Sequence, residues 1–342
     1  GDVSANVPGV VFSANLSLEL NDTTVAVNET VVVNGVSETL NLEAGPFLRI
    51  SGTGLVLEVL GQRFSGDFTF LSRVDTVELT LNNVFLGLGD GNTNFVELNG
   101  GAGTLTFSSA GLKGEFRGQI GVTIPNVTMS GEFSVEIDTD RLVPANRFIR
   151  VNGANIVATI AGQRLTGDFS FEQTTNAMGL KVVRLGVSDI TLTLKNATTT
   201  FVDVTNGQGL LVINSNGLAG SFSASAAFSV PGVTISADSI SIEINTGPQA
   251  VKESFVVNGN TVSVDVPAGS CLRVEALGGR LTIGDNGAEL SGDFAFEKGT
   301  AAGGAEIVKF AARNVSITFD GQGLKNGVGG FVVTSNGIAG QL

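Results

Sequence analysis

Apolar and polar residues alternate along most of this chain. The alternation is clearest in Leu16–Leu20, Ile190–Leu194, Ile240–Ile244 and Val315–Phe319. Successive side chains of a β-strand point to opposite faces of its sheet, so a period of two predicts strands with one buried and one wet face. Sheets of this kind are usually antiparallel. No segment has a helical period, and the spacing of the runs predicts roughly two dozen or more strands.

Glycine-containing pairs separate the alternating runs and predict tight turns. Gly61-Gln62 and Gly162-Gln163 have glycine first, as a type II′ turn prefers. Asn-Gly pairs favour the positive φ of a tight turn, and they begin at Asn34, Asn216, Asn258, Asn286 and Asn336. We therefore expect an all-β chain.

Four motifs recur three times in one fixed order. They are Phe47–Gly52 with Phe148–Gly153 and Cys271–Val274; Ser65–Phe70 with Thr166–Phe171 and Ser291–Phe296; Asn99-Gly100 with Asn206-Gly207 and Asn326-Gly327; and Val7–Val10 with Ile124–Val127 and Val230–Val233. The recurrence of four motifs in the same order indicates that the chain contains internal repeats. Repeats of this kind are typical of tandem arrays with a structural role.

The repeat divides the chain into four predicted segments. The N-terminal segment (1–46) is the C-terminal part of a unit completed by a neighbouring copy, and segment 1 (47–147) is a unit that lacks one hairpin. Segment 2 (148–270) is a full unit, and segment 3 (271–342) is the N-terminal part of another.

One hairpin accounts for the difference in length between the units. Segment 2 contains the hairpin pattern Lys252–Asp265, the N-terminal segment contains its counterpart Glu29–Leu40, and segment 1 has the short Asp140–Pro144 instead. At the ends, Asn336–Leu342 matches the start of a motif that Val3–Val10 continues. We expect the chain to be one period of a longer array.

The Gly-Asp-Phe motif predicts tight packing, because glycine admits a close neighbour and phenylalanine fills the core. Its aspartates, Asp67, Asp168 and Asp293, are also open to two other interpretations. They could form a row of cation or partner contacts, or they could pair across strands with Arg49, Arg150 and Arg273 or their neighbours.

Residues suited to catalysis are scarce. The chain has no His, the commonest general base, and its one thiol, Cys271, replaces the Phe of the sister motifs and predicts a core residue. Asp90–Asn94 resembles the start of a calcium loop without its later acidic ligand, so a turn is favoured over a calcium site. The sequence predicts no catalytic, cofactor-binding or metal site.

The formal net charge of −13 argues against two classes of partner. An acidic surface repels nucleic acid and anionic lipid. No apolar run approaches the roughly 18 residues of a membrane-spanning helix, so membrane insertion is not expected.

The motifs Phe47–Gly52, Ser65–Phe70, Asn216–Gly220 and Val230–Val233 together resemble the tandem repeats of very large bacterial secreted or surface proteins. The resemblance covers essentially the whole chain. It implies an extracellular or cell-surface location and an elongated β architecture of the adhesin-stalk or filament type, and it names no activity.

We expect an elongated antiparallel β-sandwich or β-solenoid-like rod, in which three related units share sheets. Tandem but separate β-sandwich domains are the alternative.

Three functions remain open. The first is a structural repeat of an extracellular filament, stalk or giant surface protein, joined end to end with further copies. The second is an adhesin module for glycans or surfaces, with calcium as a candidate stabiliser. The third is a hydrolase that uses the unit-specific acids Glu97, Glu275 and Glu306, but nothing assembles them, so no enzyme activity is expected.

Overall fold

The computed structural model describes most of the chain as β-strand. The described residues are 10–13, 16–72, 77–107, 111–139, 147–160, 162–176, 178–195, 200–229, 233–237, 239–257, 260–268, 271–283, 288–300, 306–319, 322–334 and 337–342. They contain twenty-five strands and no helix, and every strand register is antiparallel. The prediction of an all-β, antiparallel fold is confirmed.

Strand lengths repeat along the chain. The N-terminal segment contains β1 Val10–Ser13, β2 Leu16–Asn21, β3 Val27–Val33 and β4 Val36–Leu42. Segment 1 contains β5 Phe47–Val59, β6 Gln62–Ser72, β7 Val77–Gly89, β8 Asn94–Phe107, β9 Leu112–Val122, β10 Val127–Ser130 and β11 Glu132–Asp138.

The same order of long and then short strands follows in the rest of the chain. Segment 2 contains β12 Phe148–Ile160, β13 Gln163–Thr175, β14 Lys181–Lys195, β15 Thr200–Asn214, β16 Gly217–Phe228, β17 Val233–Ser236, β18 Ser239–Asn245, β19 Val251–Val257 and β20 Asn260–Val266. Segment 3 contains β21 Cys271–Ile283, β22 Ala288–Thr300, β23 Glu306–Phe319, β24 Gln322–Thr334 and β25 Gly337–Gln341.

The chain groups into two compact units. The first comprises 1–88, 96–121 and 132–152, and the second comprises 89–95, 122–131 and 153–342. In the first unit β2, β5, β6 and β7 form one antiparallel ladder and β9, β11 and the start of β12 form another. In the second unit β13 to β16, β18 and β21 to β25 pair in turn.

Sheet ladders continue from one repeat segment into the next. The strand near the end of each segment pairs with the first strand of the following segment. These pairs are β2 with β5, β11 with β12, and β18 with β21. Within each compact unit, adjacent segments therefore share a ladder, as expected.

A left-handed residue interrupts each of nine long strands, and seven of these residues lie at a shift of register. They are Gly54, Asn83, Gly100, Asn155, Asp189, Asn206, Gly278, Asn314 and Asn326, with φ between 53° and 64°. The register shifts of β5, β7, β14, β15, β21, β23 and β24 fall beside them. Each shift inserts one extra residue, which is a β-bulge. Gly, Asn and Asp tolerate this conformation best.

The Gly-Asp-Phe motif packs as predicted. Phe68, Phe169 and Phe294 are buried. A Cβ added at Gly66 would lie 2.9 Å from the Cα of Val84, so only glycine allows β7 to approach this closely.

One predicted turn type was wrong. Val59 pairs with Gln62, so the turn residues are Leu60 and Gly61, with φ of 49° and 74°. Two positive φ values define a type I′ turn, whose twist matches the flanking strands, and not type II′ at Gly61-Gln62. The turn at Asn34-Gly35 is confirmed. Asn214 pairs with Gly217, so the turn near Asn216 is formed by Ser215 and Asn216 and not by Asn216-Gly217. The predicted turns at Asn258, Asn286 and Asn336 lie outside the described residues.

Candidate self-association edges

Strands β11 and β18 occupy interior positions in their ladders. β11 pairs with β9 on one side and β12 on the other, and β18 pairs with β16 and β21. Their inward apolar residues, Val135, Ile137, Ile242 and Ile244, are almost fully buried. A strand of this pattern is thus covered when both of its neighbours are present.

Strand β2 has the same pattern but lies at an edge. Apolar and polar residues occupy the same positions in Leu16–Asn21 as in Phe133–Asp138 and Ile240–Asn245. Within the described residues β2 pairs only with β5, and Leu18 and Leu20 are 61% and 59% exposed. An unpaired apolar edge is a template for another strand.

Strand β25 is also an edge strand, and its sequence matches the strand that pairs with β18. Asn336–Gly340 matches Asn216–Gly220, at the start of β16. Within the described residues β25 pairs only with β24, and Ala339, Gly340 and Gln341 are exposed. Large apolar side chains are also exposed in segment 3, and they include Leu277, Leu324, Val328, Val332 and Leu342.

The two interior junctions share one register. The equivalent pairs are Gly114 with Ile137 and Gly220 with Ile244. The same register would place Gly340 opposite Leu20. Glycine fits this position because a Cβ at Gly220 would lie 2.7 Å from the Cα of Leu211, on the neighbouring strand.

A glutamate and an arginine face each other at each junction. The register pairs are Glu19 with Arg49, Glu136 with Arg150, and Glu243 with Arg273. Arg49 Nη1 lies 2.7 Å from Glu19 Oε2, and Arg273 Nη1 lies 3.5 Å from Glu243 Oε2. Partial burial and the nearby Glu275 carboxylate raise the pKa of Glu243. Arg49 and Arg273 therefore pair with glutamate, so the alternative in which these two arginines pair with the motif aspartates is wrong.

The motif aspartates accept hydrogen bonds from residues at the bulges, and Asp293 also lies near Arg313, its partner in the β22–β23 ladder. Asp67 accepts hydrogen bonds from the Gly54 amide at 3.1 Å and from Asn83 Nδ2 at 2.8 Å. These bonds, that from Asn83 foremost, hold the pKa of Asp67 below its usual value. Asp293 accepts the equivalent bonds from Asn314 and Gly278, which lower its pKa in the same way.

The second repeat keeps only part of this arrangement. Asp168 accepts a bond from the Asn155 amide at 2.8 Å, but Asp189 stands where the other repeats have a donor asparagine. The aspartate therefore joins a bulge in one strand to the neighbouring ladder in all three repeats.

Two buried asparagines anchor the hairpins. Asn21 Nδ2 donates to the carbonyl oxygens of Val25 and Glu43 at 2.9 and 2.7 Å. Asn245 Nδ2 donates to Gln249 and Pro267 at 2.8 and 2.7 Å. Each amide bridges the two ends of a hairpin. Sequence reasoning missed this role, although the signal was available: the hairpin-less segment has Asp138 at the same position, and a carboxylate cannot donate these bonds.

The remaining candidate residues lie on separate elements. Asp90 Oδ1 accepts bonds from the amides of Asn92 and Thr93, both at 2.8 Å, which forms the predicted turn and lowers the pKa of Asp90. Cys271 begins β21 and lies opposite Asn245. Glu97, Glu275 and Glu306 lie on three different strands, β8, β21 and β23. Among the described residues no cluster of three or more His, Cys, Asp or Glu could hold a metal ion.

A shallow cavity of about 280 Å³ lies over β21 to β24. Arg273, Glu275, Asp293 and Arg313 line it together with apolar residues that include Leu277, Phe294 and Val328. Arg313 Nε lies 3.7 Å from Asp293 Oδ2, and Arg273 Nη1 lies 3.9 Å from Glu275 Oε1. The charges of opposite sign are thus close enough to neutralise each other.

Comparisons with known proteins do not assign the chain to a family. None of the described residues forms a helix that could cross a membrane. No protein-family model, curated protein or solved structure matches this chain.

Proposed function

We propose that this chain is a structural repeat of an extracellular filament, stalk or giant surface protein, and that it continues end to end with further copies of itself. The observation that carries the proposal is the exposure of Leu18 and Leu20 on β2, whose equivalents on β11 and β18 are buried between two strands. The chain thus contains two completed examples of the junction that its exposed edges would form.

Strand β25 of one copy would pair with β2 of the next. In the register shared by the interior junctions, Ala339 lies opposite Asn21, Gly340 opposite Leu20 and Gln341 opposite Glu19. Burying each exposed leucine would contribute about 1.5–3 kcal/mol, and the ladder would satisfy backbone groups at both edges. The same contact serves separate chains and copies that are joined covalently.

The charge of the chain is compatible with a soluble polymer in a saline medium. A net charge of −13 opposes uncontrolled association, and salt would weaken this repulsion between copies. We place the polymer outside the cell on the resemblance of its motifs to secreted and surface repeat proteins.

Sedimentation velocity with electron microscopy tests the proposal. We expect the chain to form linear oligomers whose size increases with protein and salt concentration. Leu18→Asp should abolish them, whereas Leu60→Asp should not, because Leu60 is an exposed leucine in a turn and not on a sheet edge. Monomers at every concentration, or equal effects of the two substitutions, would reject end-to-end assembly.

A further inference from the structure

Hairpins β3–β4 and β19–β20 are two copies of one element. Each has two seven-residue strands, and the registers correspond, with Val27 opposite Leu42 in one and Val251 opposite Val266 in the other. The anchoring asparagine is also shared. The position of a residue in one hairpin therefore identifies its counterpart in the other.

Hairpin β19–β20 is packed against the preceding strands. Its residues Val251, Val264 and Val266 form one buried cluster with three residues of β14, β15 and β16. These are Val182, Val212 and Ala219. Asn176 Nδ2 also donates to Glu253 Oε2 at 2.9 Å. We call the surface formed by Val182, Val212 and Ala219 the covered face.

Segment 3 repeats the covered face without a hairpin on it among the described residues. The motifs Gly209–Gly220 and Gly329–Gly340 align without a gap, which makes Val332 and Ala339 the counterparts of Val212 and Ala219. Both are exposed, Val332 at 37%. In hairpin β3–β4 the counterparts of Val251, Val264 and Val266 are Val27, Leu40 and Leu42. Leu40 is exposed, and Val27 and Leu42 are half-buried.

We propose that hairpin β3–β4 of one copy covers the face formed by Val332 and Ala339 of the preceding copy. This inference rests on the proposed end-to-end function and adds a second contact to the strand junction. The occupant is a second copy of this chain, because only the hairpin's own counterpart is seen on an equivalent face.

Charge favours the same occupant. Lys309 lies opposite Val332 in the β23–β24 ladder and is exposed. Hairpin β3–β4 carries Glu29 and Glu38 and has no basic residue between Val27 and Leu42. Lys309 also lies opposite Glu297 in the β22–β23 ladder, so an acidic hairpin would meet Lys309 in competition with Glu297.

Thiol labelling of a protein with two full chains in one polypeptide tests the inference, because the junction is then present whether or not separate chains assemble. In a Cys271→Ala background, Leu40→Cys is placed either in the first or in the second copy. We expect the second-copy thiol to react with a maleimide at least about tenfold more slowly, since it is covered in most molecules. Asn41→Cys is the matched control, because its counterpart Asp265 is exposed and it should react equally in both copies.

A Leu18→Cys variant separates the two proposals. If Leu18→Cys is protected in the second copy and Leu40→Cys is not, the strand junction forms and the hairpin contact is rejected. If neither thiol is protected, both proposals fail. Protection of both thiols, with Asn41→Cys unprotected, supports the hairpin contact.

Discussion

Hairpins β3–β4 and β19–β20 share their length, their register and their anchoring asparagine, yet they bury different amounts of apolar surface. Val264 is 3% exposed in the second hairpin, whereas its counterpart Leu40 is 43% exposed in the first. The strands that precede them differ in the same way, since Ile242 is buried on β18 and Leu18 is exposed on β2. The difference lies in the neighbours, not in the hairpins.

The comparison shows that the burial of these residues depends on a second neighbouring strand, which β18 has in β16 and which β2 lacks among the described residues. A single repeat unit cannot cover its own apolar edge, and the next unit completes it. Matched substitutions at equivalent positions should therefore change the free energy of unfolding by different amounts. The difference between the two changes measures the free energy that a junction contributes.

The largest difference is expected between β18 and β2. Ile242→Asp would place a carboxylate in a fully buried position and should lower the free energy of unfolding by about 4 kcal/mol. Leu18→Asp should change it by less than about 0.5 kcal/mol in a dilute monomer, because the site is exposed. Urea unfolding followed by circular dichroism measures both. Equal losses would show that the β2 edge is already covered.

The hairpins themselves should give the next largest difference. Val264→Asp should destabilise the protein by about 3 kcal/mol, because it disrupts the cluster with Val212 and Ala219. Leu40→Asp should again cost less than about 0.5 kcal/mol in the monomer. The urea midpoints of the two variants give the contrast, and a costly Leu40→Asp substitution would contradict it.

Substitution of either anchoring asparagine should destabilise the protein by a similar amount. The two hairpins would then differ only in how much of their outer apolar surface is covered. Asn21→Ala removes two donated hydrogen bonds and two that Oδ1 accepts from Thr23. Asn245→Ala removes two donated bonds and one that Oδ1 accepts from Gly247. Each substitution should cost about 1–3 kcal/mol, because both sites are buried. Hydrogen exchange of peptides that cover each hairpin measures the local effect. A large cost at Asn245 alone would mean that packing, and not the asparagine, holds both hairpins in place.

The smallest effects are expected from pH. The pKa of Glu243 is raised in the folded state, so its charge destabilises the junction at neutral pH, and stability should increase as pH falls through that pKa towards about 4.5. The pKa values of Asp67 and Asp293 are lowered, so their contribution is complete above about pH 4 and is lost as pH falls below it. Comparing urea midpoints of the wild type and Glu243→Gln between pH 7 and 4.5 isolates the first effect. An unchanged difference between the two proteins would exclude it.

The alternation of residues was sufficient to predict the strands and the antiparallel class, since it depends only on which face of a strand is buried. The repeat also identified the hairpins, because an insertion of matched length appears in two segments. The type I′ turn at Leu60-Gly61 was missed because leucine rarely adopts positive φ, and only the register of β5 with β6 shows that it does.

The candidate edges were only partly predictable. The sequence indicated that copies continue end to end, but it did not show which side chains are exposed. Leu18 and Ile242 occupy equivalent positions in the sequence pattern, and only the presence or absence of a second neighbouring strand distinguishes them. Likewise, the motif aspartates had several equally plausible partners until the bulges placed Gly54 and Asn83 beside Asp67.

The recurring bulges limit how strands can slide past one another. Moving β7 by two residues would keep its apolar face inward, but it would require Leu81 or Phe85 to adopt the left-handed conformation that Asn83 accepts. The same shift would separate Asp67 from Asn83. Misaligned pairings are therefore penalised even where the hydrophobic pattern permits them. In a sheet built from many such repeats, every copy would therefore add the same length. The total length of the sheet would then be proportional to the number of copies.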